Sequence, residues 1–208
     1  MINSIDSLSV ITIIATLIIS ITIHEAVHAY VGYFLGDDTA KLHGRVTLNP
    51  FKHIDLFSTI ILPVITFLIF KVPLLAAKPV PFNPNRVRFG EFGSAMIAVA
   101  GPASNLLLAS IAGGIVTLFK GSLGVDLLQI LIIFMIVNIG LFVFNMIPIP
   151  PLDGSRLLYA FAPETLQRFM GSLENFGVFL IFTLIIVAPQ AFDFINNLNN
   201  AIFNFLIS

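Results

Sequence analysis

Residues 22–36 read TIHEAVHAYVGYFLG, and they lie within one of the most apolar stretches of the chain. Aliphatic side chains alone would suit lipid there, yet His24, Glu25 and His28 interrupt them. Ionisable groups in a membrane helix are costly and are usually functional. On an α-helix, residues i and i+4 share one face, about 5–6 Å apart. His24 and His28 can therefore hold one ion between them. Glu25 is rotated by one residue, close enough to reach a water at that ion without ligating it.

The pattern HExxH is a zinc signature: two imidazoles on the metal and a glutamate as general base. The bland alternative is a pair of buried histidines hydrogen-bonded inside a helix bundle. The cost of placing three ionisable groups in an apolar segment favours the metal.

Composition sets the surroundings. Of 208 residues, 57% are hydrophobic and 10% charged, with mean hydropathy +1.00. A soluble domain carries about 25% charged residues. The expected fold is an all-α polytopic membrane protein, a single integral-membrane domain over residues 1–208. A net charge of −1 provides no basic footprint for nucleic acid. With no cysteine, a metal site must draw on His, Asp and Glu. No Lys or Arg precedes Lys41, so the first segment lacks the positive start of a cleavable signal peptide and is expected to be retained.

The motif helix is expected over residues 8–36, about 42 Å long at ~1.5 Å per residue. A polar connection follows, DDTAKLHGRVTLNPFKHID (37–55), in which GRVTLN alternates and suggests a short β-hairpin. Leu56–Phe70 is apolar, but it is short and has Pro63 in its middle. Leu56–Ala77 is therefore expected to be a re-entrant segment that does not cross fully. KPVPFNPNRVRFGEFG (78–93) is too rich in proline for helix. Ser94–Phe119 and Leu127–Leu152 read as full spans, and Phe176–Val187 is a shorter apolar run. In the C-terminal segment Phe194, Leu198, Ile202 and Phe205 fall on one side with asparagines opposite, as in an interfacial helix or a last packed span. The whole suggests a bundle of about four to six membrane helices.

Zinc requires a third protein ligand. His43 and His53 lie in polar connections, where a solvated histidine is the simpler reading. Asp153 sits in NMIPIPPLDGSR, where three prolines break the helix just past an uncharged run. Broken backbone at membrane depth is tolerated where it lines a protein cavity. Spacing alone leaves Asp153 balanced between a ligand and an ordinary helix-starting aspartate.

Three motifs occur in order: His24-Glu25-Ala26-Val27-His28, Gly101-Pro102-Ala103-Ser104-Asn105, and the Asp-Gly segment from Asn145 through Pro148, Asp153 and Gly154 to Arg156. Together they resemble the site-2 protease family of intramembrane metalloproteases. GRVTLNPFKHID and KPVPFNP resemble its small prokaryotic branch. The resemblance spans about residues 24–156. It implies one zinc ion bound by His24, His28 and Asp153, with Glu25 as catalytic base. It also puts Asn105 and Asn145 near the site as candidates to contact substrate or a developing oxyanion, although an asparagine in a membrane helix also serves as an interhelical hydrogen-bonding residue. The implied partners are transmembrane protein substrates within a lipid bilayer, in a prokaryotic cytoplasmic membrane, and no particular regulatory partner is indicated. Many relatives carry a PDZ domain. No segment among these 208 residues is long enough for one.

Two rival classes stand beside this one. A membrane metal transporter or sensor needs acidic or His residues along a path through several spans, whereas Asp126 and Asp193 lie near segment ends. A non-catalytic membrane scaffold has no need of an intact motif set.

Overall fold

The computed structural model describes residues 6–53, 80–119, 121–174, 176–177, 179–180, 183, 187 and 190–208. Its helices are α1 (Ser7–Phe34), α2 (Thr39–Leu42), α3 (Gly90–Phe119), α4 (Val125–Asn145), α5 (Asp153–Phe161), α6 (Glu164–Glu174) and α7 (Gln190–Ile207). Three of them, α1, α3 and α4, are long and apolar enough to cross a bilayer. The expected re-entrant segment Leu56–Ala77 and most of Phe176–Val187 fall outside the described residues.

Helix α1 is capped at both ends. Ser9 N–H donates to Asp6 Oδ1 at 2.8 Å, satisfying one orphan donor of the first turn. At the other end Gly36 adopts φ +99°. Its N–H donates to Tyr33 O, and Asp37 N–H donates to Gly32 O. This is a Schellman stop, in which glycine avoids the Cβ penalty of the left-handed conformation. It ends the helix at Phe34, two residues before the expected limit.

The inward face of α1 carries Thr12, Thr16, Ser20, His24, His28 and Gly32, all buried and spaced by four. Ile11, Ile14, Ile18 and Ile19 face outward. Small and polar residues inward with aliphatics outward is the membrane arrangement: lipid solvates the aliphatics, and small residues let helices approach.

Helix α3 is central, with α1, α4, α5 and α7 all packed on it. Gln129 Nε2 donates to Ser9 Oγ at 2.8 Å, joining the N-terminal ends of α4 and α1. Asp153 meets His24 further along α1, so α1 and α4 run parallel. Helix α3 runs the opposite way: Arg88, just before it, donates its N–H to Leu35 O at 2.8 Å, and Asn105 reaches Ser20 O. The core comprises Ala109, Ala112, Met135, Ile139 and Val143.

Two expectations differ from the structure. No strand occurs among the described residues, and Gly44–Asn49 forms turns in place of a β-hairpin. Several of its polar groups bond locally: Arg45 N–H donates to Ala40 O, Thr47 N–H to Arg45 O, and Asn49 Oδ1 accepts from Phe51 N–H. Such short-range Ser/Thr and Asx bonds compete with a ladder, and Pro50 removes a ladder donor. The second difference is the face that α7 buries. Ile195, Ile202, Phe203, Leu206 and Ile207 pack on the core, whereas Phe194 and Phe205 face outward. A Cβ on Gly113 would lie 2.9 Å from Leu206 O, so glycine there sets how closely α7 approaches α3.

Candidate metal centre

Helix geometry brings His24 and His28 together on the inward stripe of α1, with Nε2 atoms 3.0 Å apart. The carboxylate comes from the break after α4. Asp153 begins α5, and its Oδ2 lies 3.1 Å from His24 Nε2 and 3.3 Å from His28 Nε2. The backbone folds tightly to place it: a Cβ on Gly154 would stand 2.3 Å from Met146 O. Only glycine lets the start of α5 lie against the C-cap of α4, where the intervening loop begins.

Hydrogen bonds on the far side of each ring decide what faces the centre. His28 Nδ1 donates to the backbone carbonyl of Ile97 at 2.7 Å; a carbonyl only accepts, so the proton is on Nδ1. His24 Nδ1 lies 2.6 Å from Asn105 Oδ1, an acceptor that places the His24 proton on Nδ1 as well. Both Nε2 lone pairs therefore point at each other and at Asp153 Oδ2. Three acceptors converge with no donor among them, an arrangement that a cation resolves.

The spacing fits. Ligand atoms about 2.0–2.1 Å from a tetrahedral ion stand roughly 3.3–3.4 Å apart. The three edges here are 3.0, 3.1 and 3.3 Å. His24, His28 and Asp153 could hold a metal ion, and two nitrogens with one oxygen form a set suited to zinc that leaves a position open.

Gly101 lies against this centre. A Cβ there would stand 2.3 Å from His28 Nε2 and 2.8 Å from His24 Nε2. Next to it, Pro102 removes one backbone donor from the interior of α3. The Gly-Pro pair of the second motif thus brings α3 backbone up to the imidazoles.

Glu25 is buried beside the histidine pair. Asn105 is fully buried, with Oδ1 on His24 and Nδ2 donating to Ser20 O at 3.4 Å and to Asn138 Oδ1 at 3.0 Å. Asn145 is half-buried at the end of α4, and its Nδ2 donates to Leu141 O of its own helix at 2.9 Å. His43 is exposed, with Nδ1 on Thr39 O. The expectation that His53 is solvated does not hold: it is 1% exposed, and its Nε2 donates to Thr47 O at 2.8 Å. Neither histidine joins the cluster. Asn138, Ser20 and the Ile97 carbonyl escaped the sequence reading. The one available signal was a second asparagine, besides Asn145, within an uncharged span.

Comparison with known proteins points to one family of metalloproteases. The profile of Peptidase family M50 matches residues 110–188, a stretch that holds Asp153 but not the histidine pair. A Bacillus subtilis protein named "Putative zinc metalloprotease YwhC" is 39% identical over 186 residues, covering 85% of this chain and 80% of its own. Two proteins called Rip2 are each 26% identical. That of Mycolicibacterium smegmatis aligns over 86% of this chain and 68% of its own, and that of Mycobacterium tuberculosis over 85% and 67%. No solved structure matches the chain. The chain belongs to peptidase family M50, the site-2 proteases. It is an integral membrane protein, and its function is that of an intramembrane metalloprotease of the site-2 type.

Proposed function

We propose that the chain hydrolyses peptide bonds in or near transmembrane segments of other membrane proteins, using one zinc ion held by His24, His28 and Asp153, with Glu25 as catalytic base. The reading rests on one observation: two imidazole lone pairs and a carboxylate oxygen converge with no donor between them. Zinc is the metal named for the YwhC and Rip2 relatives, and it suits the donor set.

When bound, zinc supplies Lewis acidity toward water and the scissile carbonyl. Glu25 takes a proton from the attacking water and passes it to the departing amine. Asn105 Oδ1 and Ile97 O hold the two imidazoles with their Nε2 atoms inward. Asn145 keeps one amide hydrogen for the substrate backbone or a developing oxyanion. A helical substrate must unwind first, because its carbonyls are engaged in i→i−4 bonds. The turn at Gly44–Leu48 offers Arg45 to such an extended segment: its Nη1 is buried without a hydrogen-bond partner. The setting is a multi-pass protein of a prokaryotic cytoplasmic membrane.

The test uses purified chain in detergent with a single-pass membrane protein as substrate. Cleavage that a chelator stops and zinc restores is expected. Zinc flux across vesicles without any cleavage would instead favour the transporter reading.

A further inference from the structure

Asn138 lies within α4, is 0% exposed, and makes its hydrogen bonds to groups other than the three proposed ligands. Its Nδ2 donates to Phe134 O, one turn back, at 2.9 Å. Its Oδ1 accepts from Asn105 Nδ2 at 3.0 Å. Asn105 Oδ1 in turn meets His24 Nδ1 at 2.6 Å. These bonds form a one-way chain from a backbone carbonyl to an imidazole.

The direction of that chain comes from backbone carbonyls, and the shorter of the two bonds that hold Asn105 Nδ2 runs through Asn138, at 3.0 Å against 3.4 Å for Ser20 O. A carbonyl oxygen accepts and never donates. Phe134 O therefore holds the amino end of Asn138, which leaves Asn138 Oδ1 facing Asn105. An oxygen facing Asn105 holds the amino end of that amide, as Ser20 O also does. Asn105 Oδ1 is then left for His24, whose proton must lie on Nδ1, with the Nε2 lone pair turned toward His28 and Asp153. Reverse one amide and the proton moves to Nε2, where it blocks metal binding. His28 needs no such relay, because Ile97 O fixes its ring directly.

We infer that Asn138 is a positioning residue that sets the tautomer of His24, acting through Asn105 from the backbone of α4. The inference rests on the proposed metal site for its purpose, but the tautomer can be read without metal. In a low-dielectric bundle the polarity of such a chain is firmly held, because an unmatched buried amide is costly.

The experiment compares full-length wild type with Asn138→Leu, Asn138→Ala and Asn138→Asp. Metal-free protein labelled with 15N-histidine is examined by NMR at mildly alkaline pH, with His24 assigned by difference from His24→Ala. Wild type should carry the His24 proton on Nδ1. Leu and Ala remove the nearer acceptor of Asn105 and leave only the longer bond to Ser20 O, so the proton should redistribute toward Nε2. Asp, neutral at this depth, can donate to Phe134 O and accept from Asn105, and should restore the wild-type tautomer. Should Leu fail to fold, Ala and Asp still carry the comparison. In zinc competition against a chelator, Leu and Ala should bind about 10–100-fold more weakly, the usual effect of removing a group that orients a ligand. A wild-type His24 tautomer in a folded Leu or Ala variant would overturn the inference. Failure of wild type to bind zinc, with the tautomer shift still present in the Leu and Ala variants, would overturn the metal-site reading and leave the relay standing.

Discussion

Asp153 Oδ2 lies 3.1 Å from His24 Nε2, although 129 positions separate the two residues in the chain. The contact exists because α1 and α4 run parallel and the proline-rich break after α4 turns α5 back toward α1. If the carboxylate and the imidazoles share one ion, removing any of the three should abolish metal binding. Removing Glu25 should leave the metal in place.

That contrast is the first prediction. Glu25→Gln should lower proteolysis by several orders of magnitude while zinc content stays at one per chain, because the side chain acts as base and not as ligand. His24→Ala, His28→Ala and Asp153→Asn should lose both activity and zinc. Metal analysis of the purified variants beside a cleavage assay checks this. Loss of zinc from the Gln variant would make Glu25 a ligand.

Gly101 yields the second. A methyl group at this position would stand 2.3 Å from His28 Nε2, in the space the ligand atoms face. Gly101→Ala should weaken zinc binding by on the order of 100-fold or more and reduce cleavage in proportion. The helix itself should tolerate the change, since alanine has the higher helix propensity. Chelator competition and circular dichroism together would separate loss of metal from loss of fold. Normal zinc affinity would mean that α3 lies further from the imidazoles than described.

The third concerns Asp37, whose carboxylate accepts from Thr39 N–H at 3.0 Å and from Asn83 N–H at 2.7 Å. Burial pushes its pKa up, but the hydrogen bonds from Thr39 and Asn83 outweigh burial and hold it below the ordinary carboxylate range. A depressed folded-state value means that stability is present above the unfolded value of about 3.9 and is lost as pH falls through the lower folded one. Asp37→Asn should cost about 1.5–3 kcal/mol near neutral pH. Thermal melts of both proteins should converge as the pH falls below about 4. A gap that persists in acid would show that the charge is not what joins Asn83 to the end of α1.

Topology furnishes the fourth. Arg86 Nη1 pairs with Asp38 Oδ1 at 2.6 Å, and Arg88 N–H donates to Leu35 O at 2.8 Å. Residues 35–38 and 83–88 therefore lie at one end of the bundle. The chain has no cysteine, so a single introduced thiol is the only one present. Lys41→Cys and Arg86→Cys should both be labelled by an impermeant reagent from the same side of the membrane, the cytoplasmic one by the excess of Lys and Arg there. Labelling from opposite sides would contradict the shared depth of these two segments.

Local pattern alone carried much of this. The four-residue spacing of His24 and His28 places both imidazoles on one helix face whatever surrounds them, because helix periodicity is a property of neighbouring peptide units. Length and hydropathy marked α1, α3 and α4 for the same reason. Other features depend on partners far away in the chain. The proton position on His28 is decided by Ile97 O, 69 positions on, and that on His24 by Asn105, 81 positions on. Asp153 does start a helix, as its pattern allows, but only the fold brings its carboxylate to both histidines. The stretch 44–49 alternates as a strand would, yet local turns engage its polar groups, and alternation over so few residues cannot decide between them. Ring orientation, tautomer and the close approach of Gly101 arise where three helices meet, and no single segment contains the atoms that set them.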